Sequence, residues 1–255
     1  MRRRTFLALA AAWLALWAGR DAAAAERSVT VFAAADLAFA FRELAPRFEG
    51  ATGVRLTLVF GSTGNFAQQI RHGGPADVFF AADASFVDRL IVEGALLRET
   101  RTRYAQGRVV LATARGAGPR LRALDELLGP RVRHVAIANP AHAPYGRAAE
   151  EVLRRSGLWE ALRPKLVYGE NVRHALQFLQ TGAADAGILA RSVADAPEIE
   201  WAPVDPALHA PLDQVAAVVR RSPRPELGLA LIRFVTGAEG RPVLRRYGFR
   251  VPGEL

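Results

Sequence analysis

The chain has no cysteine, one methionine and one lysine, Lys165. Without cysteine there is no disulfide, no thiol nucleophile and no thiolate metal ligand, so an oxidising compartment is tolerated but not exploited. Basic charge is carried almost entirely by arginine, and it is scattered, with only short clusters such as Arg220-Arg221. A nucleic-acid groove needs basic residues gathered on one element with aromatics interleaved, and that pattern is missing. Long apolar runs are also scarce. The one from Phe6 to Trp17 is shorter than the roughly 20 residues that span a bilayer. The five histidines, His72, His134, His142, His174 and His209, show no metal-ligand spacing, and no Gly-x-Ser-x-Gly elbow occurs.

What is present is an ordinary globular balance: 255 residues, 51% hydrophobic and 23% charged. Residues 1–25 read as an export signal, with Arg2, Arg3 and Arg4 before the apolar run and Ala23-Ala24-Ala25 as a small-residue cleavage site. Arg3-Arg4-Thr5-Phe6-Leu7 also fits a twin-arginine signal, with Arg2 where Ser or Thr is usual. Cleavage after Ala25 removes four arginines and one aspartate, taking the formal charge from +9 to +6. The expectation is a soluble, periplasmic mature protein.

From Ser28 onward short apolar runs alternate with helical periodicity. Strands are expected at Ser28–Ala33, Val54–Phe60 and Asp77–Ala81, with helices at Asp36–Phe48, Thr63–His72 and Ala84–Glu93 between and after them. Three strand–helix units in a row argue for a parallel sheet flanked by helices. Arg101 to Gly107 breaks the rhythm. A second series follows, with strands at 108–114, 132–138, 165–168 and 186–189 and helices at 121–128, 144–156 and 171–179. Strand-like 200–204 and 214–220 lead into a helical end, 226–247, broken at Gly240-Arg241-Pro242. The fold class is therefore α/β with two lobes, one from 26–105 plus 215–255 and the other from 106–214. The hinge is expected near Tyr104–Gly107 and Leu212–Val215.

Four strand-to-helix junctions in this map are rich in small and hydroxyl residues: Ala33-Ala34-Ala35-Asp36, Gly61-Ser62-Thr63-Gly64-Asn65, Asn139-Pro140 through Pro144-Tyr145-Gly146, and Glu170-Asn171-Val172. A helix start aims free N–H groups at whatever sits beyond the sheet, and the helix dipole adds roughly half a positive charge there. Each junction makes an anion site or merely an N-cap. Gly61 and Gly64 allow unusual backbone angles and close approach, while Ser62 and Thr63 add hydroxyl donors. With two junctions from each lobe and no Lys or Arg within them, the four together offer neutral donors to a small ion held between the lobes.

On these residues the chain resembles the periplasmic molybdate-binding proteins of ABC transporters, which have the two-lobed type II binding-protein fold. The similarity runs through Thr30-Val31-Phe32-Ala33-Ala34-Ala35-Asp36-Leu37, Gly74-Pro75-Ala76-Asp77-Val78-Phe79-Phe80 and Ala82-Asp83. It continues in Asn139-Pro140, Ala143-Pro144-Tyr145-Gly146 and Arg246-Tyr247-Gly248-Phe249. The resemblance implies a monomer that captures molybdate or tungstate, uses no cofactor, performs no catalysis and delivers the oxyanion to a membrane permease. It implies ligand contacts at Thr63, Tyr145 and Val172, with Asp36 at a further contact position and Ser62 or Asn65 substituting for a donor missing at Ala190. The family commonly has Ser or Asn where Asp36 stands, and some members have a ligand-reaching Tyr where Ala190 stands.

The Asp36 position admits two readings. A carboxylate about 4 Å from a dianion costs several kcal/mol at an effective dielectric near 20. Either its side chain turns away to cap its own helix, or it accepts a hydrogen bond from a protonated oxyanion such as hydrogen phosphate or arsenate. A hydrolase using Asp36, Ser62 and His174 in the same cleft is the alternative from a different functional class.

Overall fold

The computed structural model describes residues 27–116 and 120–254, so the expected export signal lies outside the described residues. Among the described residues, ten strands form two five-stranded sheets. In the first lobe these are β1 (Ser28–Ala34), β2 (Arg55–Gly61), β3 (Val78–Ala81), β4 (Thr102–Gly107) and β10 (Leu212–Val218). Their order is β2-β1-β3-β10-β4. The second lobe holds β5 (Val109–Ala114), β6 (Val135–Ala138), β7 (Leu166–Gly169), β8 (Ala186–Ala190) and β9 (Ile199–Pro203), in the order β7-β6-β8-β5-β9. Both sheets are mixed in the same way. Two parallel pairings occupy one side and two antiparallel pairings the other.

The central strands β3, β6 and β8 are apolar and buried along their whole length. This is what a strand covered by helices on both faces requires. Edge strand β2 alternates instead, with Arg55, Thr57 and Val59 turned to solvent. The helices are α1 (Ala38–Thr52), α2 (Thr63–Arg71), α3 (Ala84–Val92), α4 (Pro144–Arg155), α5 (Trp159–Leu162), α6 (Val172–Gln180), α7 (Pro225–Thr236) and α8 (Gly240–Arg246). One apolar cluster fills the second lobe, and two cover the opposite faces of the first sheet. Edge-to-face packing of Phe41 on Phe80 and of Phe80 on Tyr104 ties α1 to the middle of that sheet. Among the described residues no helix is long and apolar enough to cross a membrane.

Two stretches differ from expectation. Residues 101–107, expected to interrupt the rhythm, contain β4, which pairs with β10. Its polar residues Thr102, Arg103 and Gln106 suit an edge strand and hide the period-2 signal. The helix expected over 121–128 is reduced to a 3-10 turn at Leu124–Leu128, with the Glu126 carboxylate accepting from the Ala123 N–H. The expected hinge stretches pair side by side, with Leu212 opposite Gly107 and Gln214 opposite Ala105.

Candidate functional site

The carboxyl ends of β1 and β2 point toward those of β6 and β7, and the following helix starts converge. Ser62, Thr63, Tyr145, Val172 and Asp36 all line one cavity of about 10 Å³ between the lobes, together with Ala34, Ala35, Ala82, Ala143 and Asn171. This is close to the minimum room for one water. The lobes lie in direct contact around it. The Gly64 N–H donates to the His142 carbonyl at 2.9 Å, the Ser62 hydroxyl donates to the same oxygen at 2.6 Å, and Arg147 pairs with Asp83 across the cleft.

Each converging helix has one amide left for the cavity. On α6, the Asn171 side chain accepts from the N–H groups of Arg173 and His174, which leaves that of Val172. On α2, Gly64 is engaged by His142 and Asn65 lies off the cavity lining, which leaves Thr63. On α4, Pro144 has no N–H while Gly146 and Arg147 both donate to the Ala143 carbonyl, which leaves Tyr145. The Thr63 hydroxyl accepts from the Ala82 N–H at 3.1 Å, so its own proton is free to point inward. Three N–H groups and one hydroxyl, at the positive ends of helices, make an uncharged cradle for a small anion.

Ser62 plays a different part. Its hydroxyl proton goes to the His142 carbonyl, and the His142 Nδ1 lies 2.8 Å from the Ser62 Oγ. With the hydroxyl proton already committed, the ring nitrogen donates to it, so this pair latches the lobes and is not a nucleophile with its base. Asn65 reaches across the cleft toward Glu170 at 3.4 Å. Ala190 lies buried in β8, away from the cavity. His174 bonds the Glu170 N–H and lines a separate cavity of about 790 Å³, so Asp36, Ser62 and His174 form no triad. No group of three or more His, Asp or Glu among the described residues could hold a metal ion.

Asp36 does not cap a helix. It sits inside a 3-10 turn, Ala35–Leu37, whose start carries no side-chain cap. Its Oδ2 accepts from Gln214 Nε2 at 2.6 Å. The same amide group donates to the Tyr145 hydroxyl at 3.0 Å, and Gln214 Oε1 accepts from the Tyr104 hydroxyl at 2.7 Å. Asp36 Oδ1 is buried and has no hydrogen-bond partner among the described residues. Burial raises the Asp36 pKa from 3.8 to about 6, against the pull of the bonds from Gln214 and Tyr145. Burial and the Asp36 charge hold the Tyr104 and Tyr145 phenols well above their ordinary range. Gln214 and Tyr104 were not expected at the site. The available signal was Gln214 at the head of the apolar run Val215–Val219, since a fully buried polar side chain needs partners.

The glycines of the β2–α2 junction serve close approach. Neither Gly61 nor Gly64 has a positive φ. A Cβ on Gly64 would lie 2.6 Å from the His142 carbonyl oxygen, so a side chain there would hold the lobes apart.

Two lobes meeting over converging helix starts define a protein that holds a small solute in a cleft. Residues 29–250 match the bacterial extracellular solute-binding proteins, and the chain belongs to that family. It is 35% identical to the molybdate-binding protein ModA of Azotobacter vinelandii, over 92% of this chain and 95% of the relative. It is 34% identical to ModA of Rhodobacter capsulatus, over 92% and 93% respectively. The solved periplasmic molybdate-binding protein of Azotobacter vinelandii superposes with a TM-score of 0.81 at 28% identity, covering 88% of this chain and 99% of that one. These relatives bind solutes, and the chain is a solute-binding protein rather than an enzyme.

Proposed function

We propose that the protein captures molybdate or tungstate in the periplasm and delivers it to an ABC permease, acting as a monomer exported by its N-terminal segment. The observation that carries this reading is the set of three spare helix-start amides and the Thr63 hydroxyl converging on one cavity from both lobes. A tetrahedral dianion needs several donors in a dry place, and neutral ones hold it without burying a cation. The curated relatives named for molybdate supply the choice of ion.

Thr63, Tyr145 and Val172 hold the anion directly, with Asp36 beside it and Ser62 latching the lobes above. The lining residues are buried and the lobes touch around them, so capture requires the rims at Ser62–Gly64 and His142 to part and re-close about the β4–β10 hinge. Titration with molybdate, tungstate, sulfate and phosphate, read by calorimetry and by thermal shift, is expected to give tight 1:1 binding of the first two. A hydrogen bond to a charged group contributes about 1.5–3 kcal/mol, so Thr63→Ala should weaken binding about 10- to 100-fold. Binding of sulfate in preference to molybdate, or no effect of Thr63→Ala, would refute this assignment.

A further inference from the structure

An anion cradle built from neutral donors has no evident use for a carboxylate, yet Asp36 is 1% exposed on its wall. Its two oxygens are in different situations. Oδ2 is turned to Gln214, whose amide orientation is fixed in turn by the Tyr104 hydroxyl donating to Oε1. Oδ1 is buried and unpartnered. The Tyr145 hydroxyl and the Leu37 N–H also bear on this carboxyl, but no donor reaches Oδ1 in hydrogen-bonding geometry, so on the cavity wall that oxygen can take a proton.

The other groups facing Asp36 do not compete for that proton. Tyr145 of α4 and Tyr104 of β4 stay neutral phenols, and Gln214 of β10 does not titrate. The β2–α2 junction contributes Ser62 and Thr63, with the His142 ring behind Ser62, and the start of α6 contributes Asn171 and Val172. No other charged side chain lines the cavity among the described residues.

Resting on the oxyanion reading above, we propose that this site binds its oxyanion together with one proton, held between Asp36 Oδ1 and a ligand oxygen. A dianion collects the proton from water as it enters: an O–H bond forms at the carboxyl–oxyanion contact, and the solvent loses one proton. Asp36 thereby replaces electrostatic repulsion with one more hydrogen bond, and it makes capture stronger in acid. An anion that already carries a proton brings it to the same contact.

The sign follows from linkage. Above pH 6 the free site is a carboxylate and must take up a proton on binding, so Kd should rise about tenfold per pH unit from 7 to 8. Below about pH 6 the carboxyl is already protonated in the free protein, and Kd should level off. Calorimetry with molybdate between pH 5.5 and 8.5, in paired buffers of different ionisation heat, counts the protons directly. The expected uptake approaches one proton per anion at pH 8 and fades through pH 6. Asp36→Asn should abolish both uptake and slope, and at pH 8 bind up to about a hundredfold tighter than the parent. Asp36→Ser makes the same test if the amide variant folds poorly. A pH-independent Kd with no proton uptake in the parent protein overturns the proposal while leaving oxyanion capture intact. A slope that survives in both variants also overturns it, by assigning the proton to another group. Failure of molybdate and tungstate to bind at any pH removes the underlying reading itself.

Discussion

Asp36 also marks the fold of the free protein. Its pKa in the folded state lies above the unfolded value of 3.8, so its contribution to stability is fully present below about pH 3.8 and is lost as pH rises through about 6. A rise of that size corresponds to about 3 kcal/mol. Urea melts of the unliganded protein should therefore show the parent losing stability relative to Asp36→Asn between pH 4 and pH 8. The difference between the two isolates this group from the other carboxylates, and parallel curves would refute the assignment. At this scale the sequence disclosed which residues surround the cavity but not how their protons are arranged. Asp36 reads as an N-cap because it precedes a helical run. It is drawn elsewhere because Gln214, 178 residues away, presents its amide to the carboxyl.

At the scale of elements, four junctions that each look like an ordinary strand-to-helix turn acquire a use by convergence. Their donors are left over by local rules: an Asn cap takes two amides of α6, a proline removes one from α4, and a partner carbonyl takes one from α2. Gly64 and Gly146 separate the roles of two such junctions. A Cβ at Gly64 would press on His142 across the cleft, whereas one at Gly146 would lie 2.2 Å from the Ala138 carbonyl oxygen inside the second lobe. Gly64→Ala should weaken anion binding at least tenfold, while the melting temperature of the free protein moves by only a few degrees. Gly146→Ala should lower that melting temperature markedly, because α4 can no longer pack on β6. Equal effects of the two variants on melting would contradict this division. The elements themselves were legible because their apolar periods are strong. Edge strand β4 was not, since its polar residues and its antiparallel partner β10, more than 100 residues away in sequence, leave no local trace.

For the molecule as a whole, the polar ties across the mouth of the cleft among the described residues are few: the Gly64 and Ser62 bonds to His142, the Arg147–Asp83 pair and the long Asn65–Glu170 contact. Arg147 and Asp83 are partly exposed, and such an ion pair contributes about 0–1 kcal/mol. On the proposed function, these few ties and the buried Gln214–Tyr145 bond give way as the free protein opens, and an anion bound to both lobes closes it. Small-angle scattering should give a radius of gyration that falls on adding saturating molybdate, toward that of the closed structure. An unchanged radius would count against a hinge. The sequence by itself determined the α/β alternation, the helix starts with their small and hydroxyl residues, and the absence of thiol or clustered-histidine chemistry. All of these follow from local propensity and composition. Only the tertiary structure decided that Asp36 answers to Gln214 and Tyr145, that Ser62 latches onto His142, and that the spare amides of three helices share one cavity. Those pairings join residues from 69 to 178 positions apart, and burial rather than local sequence sets which groups must satisfy one another.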